Sequence, residues 1–336
     1  MKRKLFFAGW SILITITFTI ILGPSVSNSQ VPKDDKYPTA FIRIVDPNLA
    51  GGASDLLARI MAPSLSKELG AEVIVENRPG AGSQIGMSFL LSRPPDGYTI
   101  ATPSEPQFAA SIEIQKAPLK LEDFAWLSMN HFDCIAINVL KDKPWNTFND
   151  FINSIRKNPG KTSIGLTQGS GPHIFMSYLK DRMKLDVTLA PYSGGAGART
   201  ALLGGHIDAM FGQTVANVPI KDQSKCIGVG AAEKSSLWPD APTFKQLFPN
   251  DPEVSDTAIS LASYRGFMVR REFKDKYPER FKKLLEALHK AYLTKEFMAA
   301  ADKIQQTPIL WWSGPEEGDR LSKKVHVLTA KYKHLF

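Results

Sequence analysis

Apolar positions recur along this chain in two periods, every second residue in short runs and every third or fourth residue in longer ones. Such runs predict strands and helices, respectively. In the first third of the chain the two kinds alternate as three strands and two helices, at residues 40–45, 54–69, 72–76, 84–92 and 98–102. This βαβαβ order predicts a parallel sheet with helices on both faces.

A second alternating series begins near Phe132. Its strands are predicted at residues 134–140, 162–166, 186–190, 207–211 and 226–231, and its helices at residues 148–156, 174–182 and 198–203. The C-terminal part is more helical, at residues 278–292, 295–303 and 316–333. The predicted fold class is therefore α/β with two lobes, each a mainly parallel sheet flanked by helices. We assign residues 28–133 and 227–336 to lobe 1 and residues 134–226 to lobe 2.

The N-terminus has the organisation of a secretory signal peptide. Residues 2–4 are basic, residues 6–22 are uncharged and mostly apolar, and residues 23–27 contain a helix breaker followed by small residues. We expect residues 1–27 to be removed on export to the periplasm, with an uncleaved membrane anchor as the alternative. No cysteine stands near the cleavage site, which excludes a lipoprotein anchor.

The amino-acid composition of the chain argues against several classes of function. With 336 residues, 43% of them hydrophobic and 22% charged, the chain is an ordinary globular protein. Cleavage after Ser27 would lower the formal net charge from +8 to +5, and no run of five basic residues occurs. This pattern predicts a solvated basic surface with a mild preference for small anions and no nucleic-acid partner. Two cysteines and six dispersed histidines predict no metal site and no cofactor.

Three glycine-rich turns each follow a predicted strand and precede a predicted helix, at residues 49–55, 168–172 and 192–197. Glycines let backbone amides approach a ligand, and a helix N-terminus adds unpaired N–H groups and a positive dipole end. Such turns suit a carboxylate or a phosphate. The alternative is that they are only tight turns.

Enzyme motifs are sparse. The chain contains no GxSxG, HExxH or GxxxxGK[ST] sequence, and the glycines of residues 80–86 have the spacing of a structural loop rather than of a dinucleotide site. Ser170 and His173 are the one pair that an exported α/β hydrolase could use. Cys134 and Cys226 could form a disulfide, worth about 4 kcal/mol in the chain-entropy model, or remain two separate buried thiols.

Several segments together resemble one receptor family. They are AGGASDLLAR at residues 50–59, VENRPGAG at 75–82, PDGYT at 95–99, PYSGGA at 191–196, LLGGHID at 202–208 and PDAPTF at 239–244. In this order they are similar to the substrate-binding receptors of tripartite tricarboxylate transporters, the Bug family. The similarity spans residues 37 to about 248.

The resemblance implies a type II periplasmic-binding-protein fold. Such a protein is a monomer without catalytic activity that closes on a small organic carboxylate and delivers it to a membrane permease. An exported sensory module that uses the same cleft is the alternative. The ligand-binding positions that the resemblance implies are Leu49, Ala50, Gly51, Gly52, Thr102, Ser104, Gly169, Ser170, Gly171, Tyr192, Gly194, Gly195, Ala196 and Gln213.

The first turn departs from the family pattern. Asp46 and Asn48 stand where the family carries an apolar residue and an aromatic residue, respectively. The loss of the aromatic ring predicts a changed pocket specificity. The sequence leaves open which mono-, di- or tricarboxylate is bound.

Overall fold

The computed structural model describes residues 36–336. The predicted signal peptide lies outside the described residues. None of the helices within residues 36–336 is long and apolar enough to cross a membrane.

Helices and strands alternate over the first third of the described chain. The strands here are β1 Ile42–Asp46, β2 Val73–Asn77, β3 Thr99–Ala101, β4 Ser104–Glu105 and β5 Phe124–Asp133, and the helices are α1 Ala53–Leu69, α2 Gln84–Ser92 and α3 Gln107–Glu113. Gly70 ends α1 in the left-handed conformation, as the sequence predicts.

The middle third repeats this alternation. Its strands are β6 Ile135–Leu140, β7 Ser163–Thr167, β8 Thr188–Tyr192, β9 Ala209–Gln213 and β10 Ser224–Val229, and its helices are α4 Phe148–Lys157, α5 Gly171–Arg182 and α6 Gly195–Leu203. The last third contains α7 Phe244–Leu247, α8 Pro252–Ser260, β11 Ser263–Arg270, α9 Arg271–Lys276, α10 Pro278–Tyr292, α11 Lys295–Lys303, β12 Leu310–Ser313 and α12 Pro315–Lys331.

Two sheets divide these strands. The first has the order β12-β5-β11-β3-β1-β2, with β4 paired to β11, and the second has the order β10-β6-β9-β7-β8. The α/β fold with two lobes is thereby confirmed.

The mainly parallel character of both sheets is confirmed, because five of the seven strands of the first sheet run in one direction, with β11 and β12 reversed, and four of the five strands of the second do, with β6 reversed. In the first sheet β1 runs parallel to β2 and β3, but β11, β5, β12 and β4 pair antiparallel. In the second sheet β7 is parallel to β8 and β9, and β6 is antiparallel to both of its neighbours, β9 and β10, so that β6 is the reversed strand. The reason for the reversal of β6 and β11 is that the chain changes lobes: β5 leads into β6 across a single residue, and β11 enters the first sheet from the second lobe. A strand that arrives from the other lobe lacks the crossover helix that a parallel neighbour requires.

Each lobe has its own core. In the first lobe, α1 packs Leu57 and Leu65 into one buried cluster with Leu284 and Leu288 of α10. In the second lobe, Phe148 and Phe175 both meet Phe244 edge to face, with ring centroids 6.0 and 4.9 Å apart. Burial of such side chains supplies most of the stabilisation of each lobe.

The predicted boundary between residues 226 and 227 falls inside β10, which continues to Val229. Val254, Ala258 and Leu261 are also buried in the second-lobe core. The chain therefore returns to the first lobe only at β11.

Helix α12 passes from one lobe to the other. Near its start, a Cβ added at Gly318 would lie 2.8 Å from Cβ of Trp126 in the first lobe. Beyond its end, the Tyr332 ring lies 5.0 Å from the Tyr178 ring in the second-lobe core. It is the third segment that connects the lobes, after the β5–β6 junction and the α8–β11 junction.

Candidate functional site

The carboxyl ends of the parallel strands form the two edges at which the predicted site residues lie. In the first sheet β1 and β3 end at Asp46 and Ala101, and in the second β7, β8 and β9 end at Thr167, Tyr192 and Gln213. Ligands of open α/β sheets bind outside these ends.

The first predicted turn, residues 49–52, uses much of its hydrogen-bonding capacity internally. Gly51 has a φ of 77°, which favours glycine, and its N–H donates to Asp55 Oδ2 at 2.9 Å. The Gly52 N–H donates to the Leu49 carbonyl at 3.2 Å. Of the predicted positions, Leu49 and Ala50 are exposed. The turn is placed as predicted, but two of its amides are occupied.

The second turn, residues 169–171, is packed between the lobes. The Ser170 hydroxyl donates to the Thr167 carbonyl at 2.7 Å, and the Gly169 N–H donates to Nδ1 of His173 at 3.1 Å. A Cβ at Gly171 would stand 1.7 Å from the Leu261 carbonyl oxygen, so close packing accounts for this glycine. Ser170 and His173 thus bond to backbone groups and do not form the nucleophile–base pair that a hydrolase needs.

The third turn is the most open of the three. No described atom lies within 4 Å of a Cβ placed at Gly194, the N-cap of α6, and no side chain in the described chain caps this helix. Helix geometry leaves the N–H groups of Gly195 and Ala196 without an intrahelical acceptor. Behind them, Arg199 Nη1 donates to the Ala216 carbonyl at 2.8 Å and so ties α6 to the segment after β9. This turn keeps donors for an anion.

Three predicted polar side chains lie where the two edges approach each other. Thr102 is fully buried, and among residues 36–336 its Oγ1 has no hydrogen-bond partner. Ser104 Oγ lies 3.0 Å from Ser263 Oγ. Gln213 Oε1 accepts a hydrogen bond from Nη2 of Arg265 at 3.2 Å, which connects β9 of the second sheet to β11 of the first.

Arg265 was not predicted from the sequence. It lies opposite Ser104 of β4 and opposite His131 of β5 in the strand register. Its side chain is buried, and Nη1 stands 3.7 Å from Oδ2 of Asp133. The one available signal was an arginine within the otherwise uncharged, largely apolar run of residues 257–269.

Asp133, the last residue of β5, also contacts the segment that follows β9. Its Oδ1 accepts hydrogen bonds from Thr214 Oγ1 at 2.7 Å and from the Val215 N–H at 3.1 Å. Trp238 Nε1 in turn donates to the Thr214 carbonyl at 2.9 Å. The residues that follow β9 are therefore held by β5 as well as by β11.

Burial dominates the electrostatics of this junction. It raises the pKa of Asp46 to about 7, although hydrogen bonds from Asn48 and the positive charge of Arg265 act in the opposite direction. Burial also raises the pKa of Asp133. The pKa of His131 is lowered well below its usual value, first by burial and then by Arg265, so that its imidazole is neutral at pH 7.

The two cysteines do not pair. Both are free thiols in the described part of the chain. Cys226 lies opposite Asn138 of β6, four residues along the chain from Cys134, which at about 3.4 Å per residue is about 14 Å. A disulfide requires Cα atoms within about 7 Å, so the register excludes this alternative. Burial raises the pKa of each thiol to about 12.

A metal site is not evident in the described residues, where no group of three or more His, Cys, Asp or Glu side chains is arranged to hold an ion. The candidate site comprises helix N-termini, hydroxyl groups, one amide side chain and one buried guanidinium. Each of these groups donates hydrogen bonds to anionic oxygens.

Comparisons with known proteins agree with the resemblance. The UPF0065 protein in the gbd 5' region of Cupriavidus necator is 32% identical over 253 residues, which are 74% of this chain and 75% of the relative. A TctC solute-binding protein from Polaromonas, solved without ligand, superposes with a TM-score of 0.69 at 26% identity, over 89% of this chain and 98% of that one. MatC from Rhodopseudomonas palustris, solved with bound malate, has the same fold with a TM-score of 0.70 at 21% identity, over 89% and 99% of the two chains.

The family model described as the tripartite tricarboxylate transporter family receptor, TctC, matches residues 57–300, well over half of the chain. The family predicted from the sequence motifs is confirmed. This chain belongs to the receptors of the tripartite tricarboxylate transporter family.

Proposed function

We propose that this protein is an exported receptor that captures a small organic carboxylate between its lobes and delivers it to a tripartite tricarboxylate-type membrane permease. The observation that carries the proposal is the contact between Arg265 of the first sheet and Gln213 of the second, together with the open N-terminus of α6 in the second lobe. It supports a cleft in which donors from both lobes face one ligand. Membership of the receptor family and the malate-bound structure of MatC support the same ligand class.

Hinge closure is the mechanism of this proposal. The lobes are joined at the β5–β6 and α8–β11 junctions, so a change of backbone angles there rotates one lobe against the other. An open cleft offers a carboxylate the donors of one lobe only, and the closed cleft offers both sets. The ligand therefore shifts the population towards closure. Micromolar affinity corresponds to about −8 kcal/mol, which a few charge-assisted hydrogen bonds can supply.

The proposal excludes catalysis. The Ser170 hydroxyl and the His173 ring bond to backbone groups, and burial lowers the pKa of His173 to about 4, which makes it a weak general base. The basic residues at positions 2–4 and the apolar run after them support export, and the family supports delivery to a permease.

A ligand screen followed by scattering tests the proposal. Purified protein is screened by thermal shift against mono-, di- and tricarboxylates of two to eight carbons, and hits are measured by titration calorimetry. We expect at least one carboxylate to raise the melting temperature and to reduce the radius of gyration in small-angle scattering. Failure of every carboxylate to bind, or turnover of an ester substrate, would contradict the proposal.

A further inference from the structure

The junction around Arg265 contains several buried polar atoms that the protein itself leaves unsatisfied. In the described chain, Arg265 Nη1, Asp133 Oδ2, Thr102 Oγ1 and both ring nitrogens of His131 have no hydrogen-bond partner. All four residues are at most 4% exposed. Buried polar groups are normally paired, and an unpaired one costs about 1 to 3 kcal/mol.

The strand register brings these groups together. Arg265 is the partner of His131 on β5, and Ser263, two residues earlier on the same face of β11, is the partner of Asp133. On the other side of β11, Arg265 is the partner of Ser104, two residues after Thr102. The unsatisfied atoms therefore surround the guanidinium at the carboxyl end of β3.

The strand order of the second sheet relates the Arg265 guanidinium to the third turn, residues 192–197. Its partner Gln213 ends β9, and Tyr192 ends β8, with β7 between the two strands. Because β9 and β8 are two strand spacings, about 10 Å, apart, the guanidinium and the open N-terminus of α6 are two separate groups of donors, and a ligand that uses both needs two anionic ends.

We propose that Arg265 is a specificity-determining residue that binds one carboxylate of a dicarboxylate ligand, whose other carboxylate lies at the N-terminus of α6. This inference rests on the proposed function and names the ligand class of that same site. The incoming carboxylate accepts from Nη1, which at 3.7 Å is too far from Asp133 Oδ2 for a hydrogen bond. Asp133 retains its hydrogen bonds to Thr214 and Val215, so the junction keeps its shape.

The test compares succinate with butyrate, which has the same number of carbons and one carboxylate less. We expect the unaltered protein to prefer succinate, and Arg265→Gln to weaken succinate binding by roughly 10- to 100-fold while it changes butyrate binding little. Asp133→Asn is expected to preserve or strengthen succinate binding, because it removes the carboxylate that shares the guanidinium.

Two further variants keep the result interpretable. Arg265→Gln leaves Asp133 without its charge partner, so the double variant Arg265→Gln with Asp133→Asn provides a neutral junction that is expected to fold and to show the same loss of succinate affinity. Arg270→Gln is the matched control. This arginine lies at the other end of β11, donates to the Leu91 carbonyl at 2.9 Å and pairs with Glu272.

The outcomes separate the two proposals. Wild-type affinity for succinate in the double variant, or an equal loss in Arg270→Gln, would overturn the role of Arg265 and leave the receptor function intact. Preference of the unaltered protein for butyrate would overturn the dicarboxylate assignment. Failure of the unaltered protein to bind any carboxylate of the wider screen would contradict the receptor function itself.

Discussion

The carboxyl group of Asp46 is fully buried at the end of β1. Its Oδ1 accepts hydrogen bonds from the backbone and side-chain nitrogens of Asn48, both at 3.0 Å, and its Oδ2 accepts one from Asn77 Nδ2 at 3.3 Å. Asp55 and Arg265 are the charged groups nearby, with opposite effects. The effect of burial on the pKa of Asp46 is larger than the effects of these hydrogen bonds and charges, and it favours the protonated form of the carboxyl group.

This residue makes the stability of the fold depend on pH. Because burial raises the pKa of Asp46 from 3.8 in the unfolded chain to about 7, its contribution is fully present below pH 3.8 and is lost as the pH rises through 7. The difference is on the order of 4 kcal/mol. Asp46→Asn is therefore expected to gain stability relative to the unaltered protein between pH 4 and pH 8. Denaturant unfolding at both pH values measures the effect.

Asp142→Asn serves as the control, because this aspartate is exposed. It is expected to leave the pH dependence unchanged. Parallel stability curves for Asp46→Asn and the unaltered protein would show that Asp46 is ionised at little cost and would contradict the prediction.

The glycine-rich turns could be located from the sequence, whereas the buried charged side chains could not. Glycines at a strand–helix boundary are visible in the sequence, and the turns at Gly51, Gly169 and Gly194 lie where they were expected. Arg265 could not be found this way, since its significance comes from partners 52 and 132 residues earlier, Gln213 and Asp133. Only the fold brings these side chains together.

At the scale of the element, the N-terminus of α6 provides a direct test of the cleft. Gly194 has an extended backbone, with a φ of −169°, and open space in place of a Cβ, so a larger side chain there imposes no strain on the described chain. If the third turn faces the ligand, Gly194→Val fills the ligand's place. We expect a loss of carboxylate affinity of at least tenfold with unchanged melting temperature, measured by calorimetry and circular dichroism.

Gly314→Val is the matched control. Gly314 is likewise the N-cap of a helix, α12, with no described atom within 4 Å of its Cβ position and an extended backbone. It belongs to the first lobe, where α12 begins after β12. Normal binding by Gly194→Val, or an equal defect in Gly314→Val, would remove the third turn from the site.

Strands β5 and β11 were not predicted from the sequence, because apolar and polar residues do not alternate regularly along them. Nine of the ten residues preceding Cys134 are buried, without alternation, and they include the polar residues Ser128, Asn130 and His131. Both strands lie in the middle of the sheet, where burial on two faces removes the polar–apolar alternation. Both also carry irregular register at Arg265/Gly266 and at Phe267/Met268. By contrast, β1 with α1 keeps the regular pattern and was predicted within two residues.

At the scale of the whole molecule, three passages of the chain limit how the lobes can move. The β5–β6 and α8–β11 junctions are short, and the third passage is the C-terminal part of α12 with Tyr332 packed against Tyr178. Two short junctions define a rotation axis, and a packed helix end restricts sliding along it. The reversed strands β6 and β11 directly follow two of these passages, and their reversal could not be predicted from the strand pattern alone.

The indole of Trp238 gives the molecule a natural optical signal for this rotation. It is 5% exposed and is connected to Asp133, at the end of β5, by two hydrogen bonds, one to the Thr214 carbonyl and one from the Thr214 hydroxyl to the Asp133 carboxylate. Indole emission responds to the polarity and hydrogen bonding of its surroundings, so a shift of the segment after β9 alters its intensity or wavelength.

We expect ligand addition to change the intrinsic fluorescence of the unaltered protein, and Trp238→Phe to lose most of that change while calorimetry still detects binding. An undiminished change in the variant would place the signal elsewhere. With this reporter, stopped-flow mixing would time the closing of unlabelled protein and separate the encounter with the ligand from the motion that follows.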